Sequence, residues 1–192
     1  MPTADVESRI IESAMPRYDV VLTDHIVVDA DPGATLRAAR SLDLLTVRSP
    51  VTTLSMWVRA LPARLTGKAP PVPPRLVLSD GALPGWLVLG ESDCEFAFGA
   101  VGKFWRPVIE WRDVEAAEFA RFDEPGWGKI AANFSVHSYG PATLLSYQCR
   151  TATTDGLSHK RFRRYWWLVR PFVGHVMRAT LRTIKADAEA LP

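Results

Sequence analysis

The chain has 192 residues, and 23 Lys and Arg nearly balance 21 Asp and Glu, for a formal net charge of +2. That length fits one domain, or one domain with a tail, able to bury about 70% of its unfolded surface. The near-balance argues against a general nucleic-acid binder, which carries a marked basic excess, and 47% hydrophobic with 23% charged residues excludes disorder across the whole chain.

Residues Asp5 to Met15 place Val6, Ile10, Ile11 and Ala14 at helical spacing before Pro16, which predicts a short leading helix. This segment is polar and acidic and lacks the basic and apolar regions of a signal peptide. Tyr18 to Asp29 alternates, with Tyr18, Val20, Leu22, Ile26 and Val28 on one face, and reads as a first strand. Asp31 and Pro32 then supply an N-cap and a first helical residue for a helix to about Arg40. A second helical stretch is predicted from about Pro50 to Leu65. Residues 62–75, with Pro62, Pro70, Pro71, Pro73 and Pro74, read as a long loop within one domain.

Three strands are predicted next, over Arg75 to Ser79, Trp86 to Glu91 and Cys94 to Trp105, separated by Gly, Pro, Ser and Asp turn signals. Val114 to Arg121 reads as a short helix. Two more strands follow, Trp127 to Tyr139 and Ala142 to Thr153, joined at Gly140-Pro141. The first puts Ile130, Ala132, Phe134 and Val136 on one face. In the second, Leu145, Tyr147 and Cys149 oppose Ser146, Gln148 and Arg150. From Ser158 to Ala188 the residues Phe162, Trp166, Val169, Val173, Val176, Thr180 and Ile184 fill one arc of about 80° at about 100° per residue. The Lys and Arg residues fall outside that arc. This predicts a long amphipathic helix, with a kink expected at Pro171. A strand block kept apart from a long final helix is an α+β arrangement with an antiparallel sheet.

Four segments carry a resemblance to a known family. They are His25-Ile26-Val27-Val28-Asp29-Ala30-Asp31-Pro32-Gly33, residues Phe98 to Pro107, residues Phe122 to Lys129, and residues Arg161 to Pro171. The chain resembles the START-like superfamily, also called SRPBCC, with its polyketide cyclase/dehydrase and lipid-transport branches. Within it the last three segments look like an uncharacterised bacterial branch. The resemblance covers about residues 17–186. It implies a helix-grip fold, in which a curved antiparallel sheet wraps around the long C-terminal helix. Residues 17–192 then form a single START-like domain, and 1–16 an N-terminal helical extension. Such a fold hosts carriers, receptors and enzymes alike, so function has to come from the site.

The reactive residue types each have a plain structural reading. His25, His137, His159 and His175 show no His-x-x-x-His or His-x-His spacing, so no metal is expected, and no cofactor is expected either. His25 and His137 fall on the polar strand faces, where local hydrogen bonding is the plainer reading. Glu91 and Glu95 flank a hairpin and are expected in solvent. Asp123-Glu124-Pro125-Gly126 reads as a turn, and Gly99 to Lys103 lacks phosphate-loop spacing. Cys94 and Cys149 are expected as free, buried thiols of a reducing compartment. With no run of 18 apolar residues to span a membrane, a cytoplasmic location is expected. The basic and aromatic segment Lys160 to Arg170 reads as a solvated basic face over a buried stripe rather than a grip on nucleic acid or membrane.

Alternation and the helical arc bring Phe96, Phe98, Phe134, Tyr147 and Trp166 toward one interior, with Val169 and Val173 beside Trp166. These seven are the candidate ligand-binding residues. The expected function is binding of a hydrophobic or amphipathic small molecule, lipid- or polyketide-like, between sheet and final helix. The alternative is a cyclase/dehydrase-type enzyme using Tyr147 or an inward histidine as acid or base. No catalytic residue stands out. No nucleic acid and no stable membrane insertion are expected, and the oligomeric state is left open.

Overall fold

In the computed structural model, residues 9–43 and 85–190 are described. The expected helix over Pro50 to Leu65, the proline-rich loop at 62–75, the strand Arg75 to Ser79 and the first residues of the leading helix lie outside them. The described chain runs α1 (Ile10–Ala14), β1 (Val20–Val28), α2 (Pro32–Arg40), β2 (Trp86–Glu91), β3 (Glu95–Gly102), β4 (Trp111–Arg112), α3 (Ala116–Phe119), β5 (Gly128–Tyr139), β6 (Ala142–Thr153) and α4 (Gly156–Glu189). It is an α+β fold with a six-stranded open antiparallel sheet in the order β1-β6-β5-β3-β2, with β4 paired to β3. No described helix is long and apolar enough to cross a membrane.

The centre of the sheet is the β5–β6 hairpin, in register from Gly128 opposite Thr153 to Tyr139 opposite Ala142. Its two-residue turn puts Gly140 at φ +62° in the first central position. A tight hairpin turn needs a left-handed residue there, and glycine takes it without strain. Pro141, with its fixed φ, follows.

Two cores form, one on each face of the sheet. On one face Val28, Phe96, Phe98, Ala132, Phe134, Val136 and Leu145 pack with Leu36, Ala39 and Leu42 of α2 and its C-terminal end, and with Leu181, Ile184 and Ala188 of α4. On the other, Val101, Ala131 and Trp127 pack with Ile11 and Met15 of the α1 segment and Phe119 of α3. β3 is therefore buried at every residue, rather than only on the Phe96 and Phe98 face that alternation singles out.

The second core corrects the reading of Glu95. It is only 2% exposed. Its carboxylate accepts hydrogen bonds from Ile10 N at 2.6 Å, Ile11 N at 3.1 Å and Asn133 Nδ2 at 2.6 Å. The Arg9 side chain provides no cap for α1, so a strand carboxylate satisfies the orphan amides of that helix. Arg150, also buried, completes the anchor. It donates to Met15 O at 2.9 Å and to both carboxylate oxygens of Glu12, and lies 4.7 Å from the centre of the Tyr18 ring.

α4 is 34 residues long, about 51 Å at 1.5 Å per residue. Asp155 caps it, accepting from Leu157 N and Ser158 N, and also holds Gly126 N at 2.6 Å. The Ser158 hydroxyl also donates to Asp155 at 2.6 Å, and that bond first, with the backbone bonds after it, pulls the Asp155 carboxyl down to about 2. α4 packs on β1, β6 and α2. Of the predicted arc, Phe162, Thr180 and Ile184 are buried, while Trp166, Val169, Val173 and Val176 are half-buried. Pro171 sits inside a helix that continues through it.

A candidate ligand groove between the final helix and the first strand

Alternation along β1 turns Val20, Leu22, Asp24, Ile26 and Val28 toward α4 and Val21, Thr23, His25 and Val27 outward. Register carries the inward face across the sheet. Leu22 sits opposite Cys149, Cys149 opposite Ala132, and Ala132 opposite Phe98. One step along, Asp24 sits opposite Tyr147, Tyr147 opposite Phe134, and Phe134 opposite Phe96. The predicted aromatic residues therefore do share one face. Phe134 and Tyr147 meet in a tilted contact at 4.5 Å between ring centres, and Phe98 lies 5.6 Å from Phe134 and 5.8 Å from Phe96.

Those rings and Trp166 occupy different places. Phe96, Phe98 and Phe134 are at most 2% exposed and lie in the packed core with Leu181 and Ile184. Tyr147 is half-buried at the edge of that core. Trp166 instead lines a groove of about 890 Å³ between the first half of α4 and the start of β1. Among the described residues its walls are Asp19, Val20 and Leu22 on one side, and His159, Arg163, Trp166, Trp167, Arg170, Pro171, Gly174 and Arg178 on the other. Trp166 is held by stacking on buried Phe162 at 5.7 Å. Val169 and Val173 are half-buried on the sheet-facing side of the same helix.

The groove combines apolar and cationic groups. Val20, Leu22, Trp166, Trp167 and Pro171 supply the apolar part of its lining. At the rim Arg178 approaches Asp24 at 3.8 Å and His159 Nδ1 lies 3.3 Å from Asp19 Oδ1. Asp19 also accepts from Thr153 N and Thr153 Oγ1. Among the described residues, Arg163 and Arg170 have no carboxylate within ion-pair distance. An apolar slot edged by two uncompensated guanidinium groups suits a molecule with an apolar body and an anionic head.

The other titratable groups sort by face. Burial pushes the Tyr147 phenol above its ordinary range, with the neighbouring Cys149 adding to it, and burial pushes the Cys149 thiol up to about 12. Both stay neutral at pH 7. His25 bonds Ser146 Oγ at 2.8 Å and His137 bonds an Arg9 nitrogen at 2.8 Å, both on the face away from the groove. Both cysteines are free. Cys149 is half-buried, whereas Cys94 is exposed at the β2–β3 turn, not buried as expected of a thiol in a reducing compartment. Among the described residues no cluster of three or more His, Cys, Asp or Glu gathers.

Sequence reasoning reached Trp166 through the helical arc. It passed over His159, Arg163, Arg170 and Asp19, because their meeting depends on how α4 lies along β1. The usable signal was present in the Arg163 and Arg170 spacing of seven, which puts both on one side of a helix.

No family model and no curated protein sequence matches the chain. Among solved structures, the crystal structure of TTHA0849 from Thermus thermophilus aligns over 89% of this chain and 98% of that one, at 10% identity and a TM-score of 0.32.

Proposed function

We propose that this protein binds an amphipathic small molecule, lipid- or polyketide-like, in the groove between α4 and β1. Its fold is read as a helix-grip fold of the START-like type. One observation carries the reading: Val20, Leu22 and Trp166 line the same groove as Arg163 and Arg170, which no described carboxylate neutralises. Burial of apolar area drives binding at about 25 cal/mol per Å², and the arginines orient the polar end. The aromatic core of Phe96, Phe98 and Phe134 forms the rigid slab behind Tyr147 rather than the groove wall.

The probe is anilinonaphthalene sulfonate, an apolar ring system with one anionic group. Trp166→Ala and the pair Arg163→Gln/Arg170→Gln should each weaken the dye several-fold. Trp166→Ala should also cost less stability than Phe134→Ala, for which about 3–5 kcal/mol is expected of a fully packed aromatic. Unchanged dye affinity in both variants, with a core-sized stability loss for Trp166→Ala, would defeat the reading. Native mass spectrometry of freshly purified protein then identifies what travels with it.

A second reading, cyclase/dehydrase-type chemistry, is favoured by His159 beside Asp19 on the groove wall. A carboxylate on Nδ1 leaves Nε2 to exchange a proton with a bound ligand. Both side chains are partly exposed, so binding remains the first reading.

A further inference from the structure

The outward face of α4 carries a feature that the groove meets only at its edge, through Trp167. Trp167 is 83% exposed, Leu168 64%, Leu157 57% and Phe172 41%. At about 100° per residue these four fall within one arc of about 140°, and Lys160, Arg161 and Arg164 fall within the same arc. The expected solvated basic face is therefore also an apolar face. Lys160, Arg163, Arg164 and Trp167 already form a shallow depression there.

The charge is concentrated as well. From Gly156 to Ala186 the chain has eight Lys and Arg and no Asp or Glu, although the whole chain is only +2. The remainder is thus net acidic. Among the described residues, Lys160, Arg161 and Arg164 have no carboxylate in ion-pair distance; the ion pairs of α4's Lys and Arg are those of Arg178 and Lys185 in the second half.

We infer that the first half of α4 docks this protein on an anionic lipid surface, lying flat with Trp167, Leu168 and Phe172 at the headgroup–acyl boundary and Lys160, Arg161 and Arg164 among the phosphates. Three observations favour a lipid surface over a nucleic acid. The apolar residues include Leu157 and Leu168, which offer no ring for base stacking. They follow the outside of a helix instead of lining a channel. The net acidic remainder of the chain repels a long polyanion, while a planar surface meets only this face. An exposed row of apolar residues interleaved with cations is the pattern of an interfacial helix. The docked face adjoins the groove through Arg163 and Trp167, which line both, so an amphipathic ligand has a short path between lipid and groove. The docking itself does not depend on what fills the groove.

The test is co-sedimentation of the full chain with phosphatidylcholine vesicles, alone or with one lipid in three replaced by phosphatidylglycerol. Leu168→Ser/Phe172→Ser and Arg161→Gln/Arg164→Gln alter the face without touching the groove wall. Wild type should bind the anionic vesicles and lose them at high salt. Each cation removed should cost about five-fold in affinity, hence about twenty-five-fold for the arginine pair, and the apolar pair should cost roughly ten-fold or more. The unfolding midpoint of Arg161→Gln/Arg164→Gln should stay at the wild-type value, since both side chains face solvent, and that of Leu168→Ser/Phe172→Ser should fall only slightly, since Phe172 is 41% exposed. Equal binding to neutral vesicles, or wild-type binding by either variant, would overturn the inference. So would a single-stranded oligonucleotide displacing the vesicles, or a dimer that forms through this face and excludes lipid.

Discussion

Replacing Glu95 by Ala removes one buried carboxylate that three donors converge on: Ile10 N, Ile11 N and Asn133 Nδ2. A hydrogen bond to a charged group contributes about 1.5–3 kcal/mol net. Ile10 is half-buried, so water recovers part of its share. Ile11 and Asn133 are at most 1% exposed and recover none. Asn133 already has its Oδ1 without a partner, so the substitution strands that side chain completely. The two unrecovered bonds put the loss at about 3–6 kcal/mol, a large part of a typical domain's stability of about 5–15 kcal/mol. Urea unfolding of wild type and Glu95→Ala at neutral pH measures it. Glu95→Gln sharpens the result. It keeps the shape but turns one acceptor into a donor facing a donor, so it should also lose much of the stability. A Glu95→Ala loss below about 1 kcal/mol, or a Glu95→Gln protein as stable as wild type, would refute the idea that this carboxylate fastens α1.

Two further outcomes follow from the same structure. The Arg150 guanidinium, by hydrogen bond first and by charge second, holds the Glu12 carboxyl below its ordinary 4.5. A depressed folded value adds stability that is present above pH 4.5 and is lost as pH falls through the folded value. Glu12→Gln should therefore lower the unfolding midpoint at pH 7 and flatten its decline on acidification, which thermal scans across pH 3 to 7 would read. Cys94 should react with a maleimide in the folded protein at neutral pH, because it is exposed, whereas Cys149, half-buried and with its thiol pushed up to about 12, should label only after unfolding. Labelling of both at the same rate would contradict this.

Much of the fold was legible because its signals are local. Asp31-Pro32 announced α2, and the Asp31 side chain does accept from Ala34 N. Gly140-Pro141 located the central hairpin, and the period of Phe162, Thr180 and Ile184 located α4. What alternation could not show was a second core behind the sheet. β3 carries Glu95, Ala97, Gly99 and Val101 on that face, a set that reads as weakly apolar. Its burial follows from Ile11, Met15 and Phe119 arriving from distant parts of the chain. Glu95 was misjudged for the same reason: a carboxylate beside a turn belongs in water unless a helix N-terminus comes to meet it. The site divided likewise. Facing directions on the strands were readable, so the Phe134 and Tyr147 rings do meet on one face. Whether a ring borders a groove or lies in the core depends on where α4 rests, and that separated Trp166 from Phe96, Phe98 and Phe134.

Pro171 gives α4 two mechanical parts. It has no N–H, so the carbonyl of Trp167 receives no amide from the next turn. The C-terminal part is locked by Leu181, Ile184 and Ala188 in the core and by Lys185, which donates to Val27 O at 2.7 Å. The N-terminal part rests on Phe162 and the Asp155 cap, with Trp166 over the groove. The missing bond falls where these two anchorages meet. The turn that lacks this bond is the one at which a helix bends most readily. Flexure at that one turn is thus separable from the packing of the second part on the sheet.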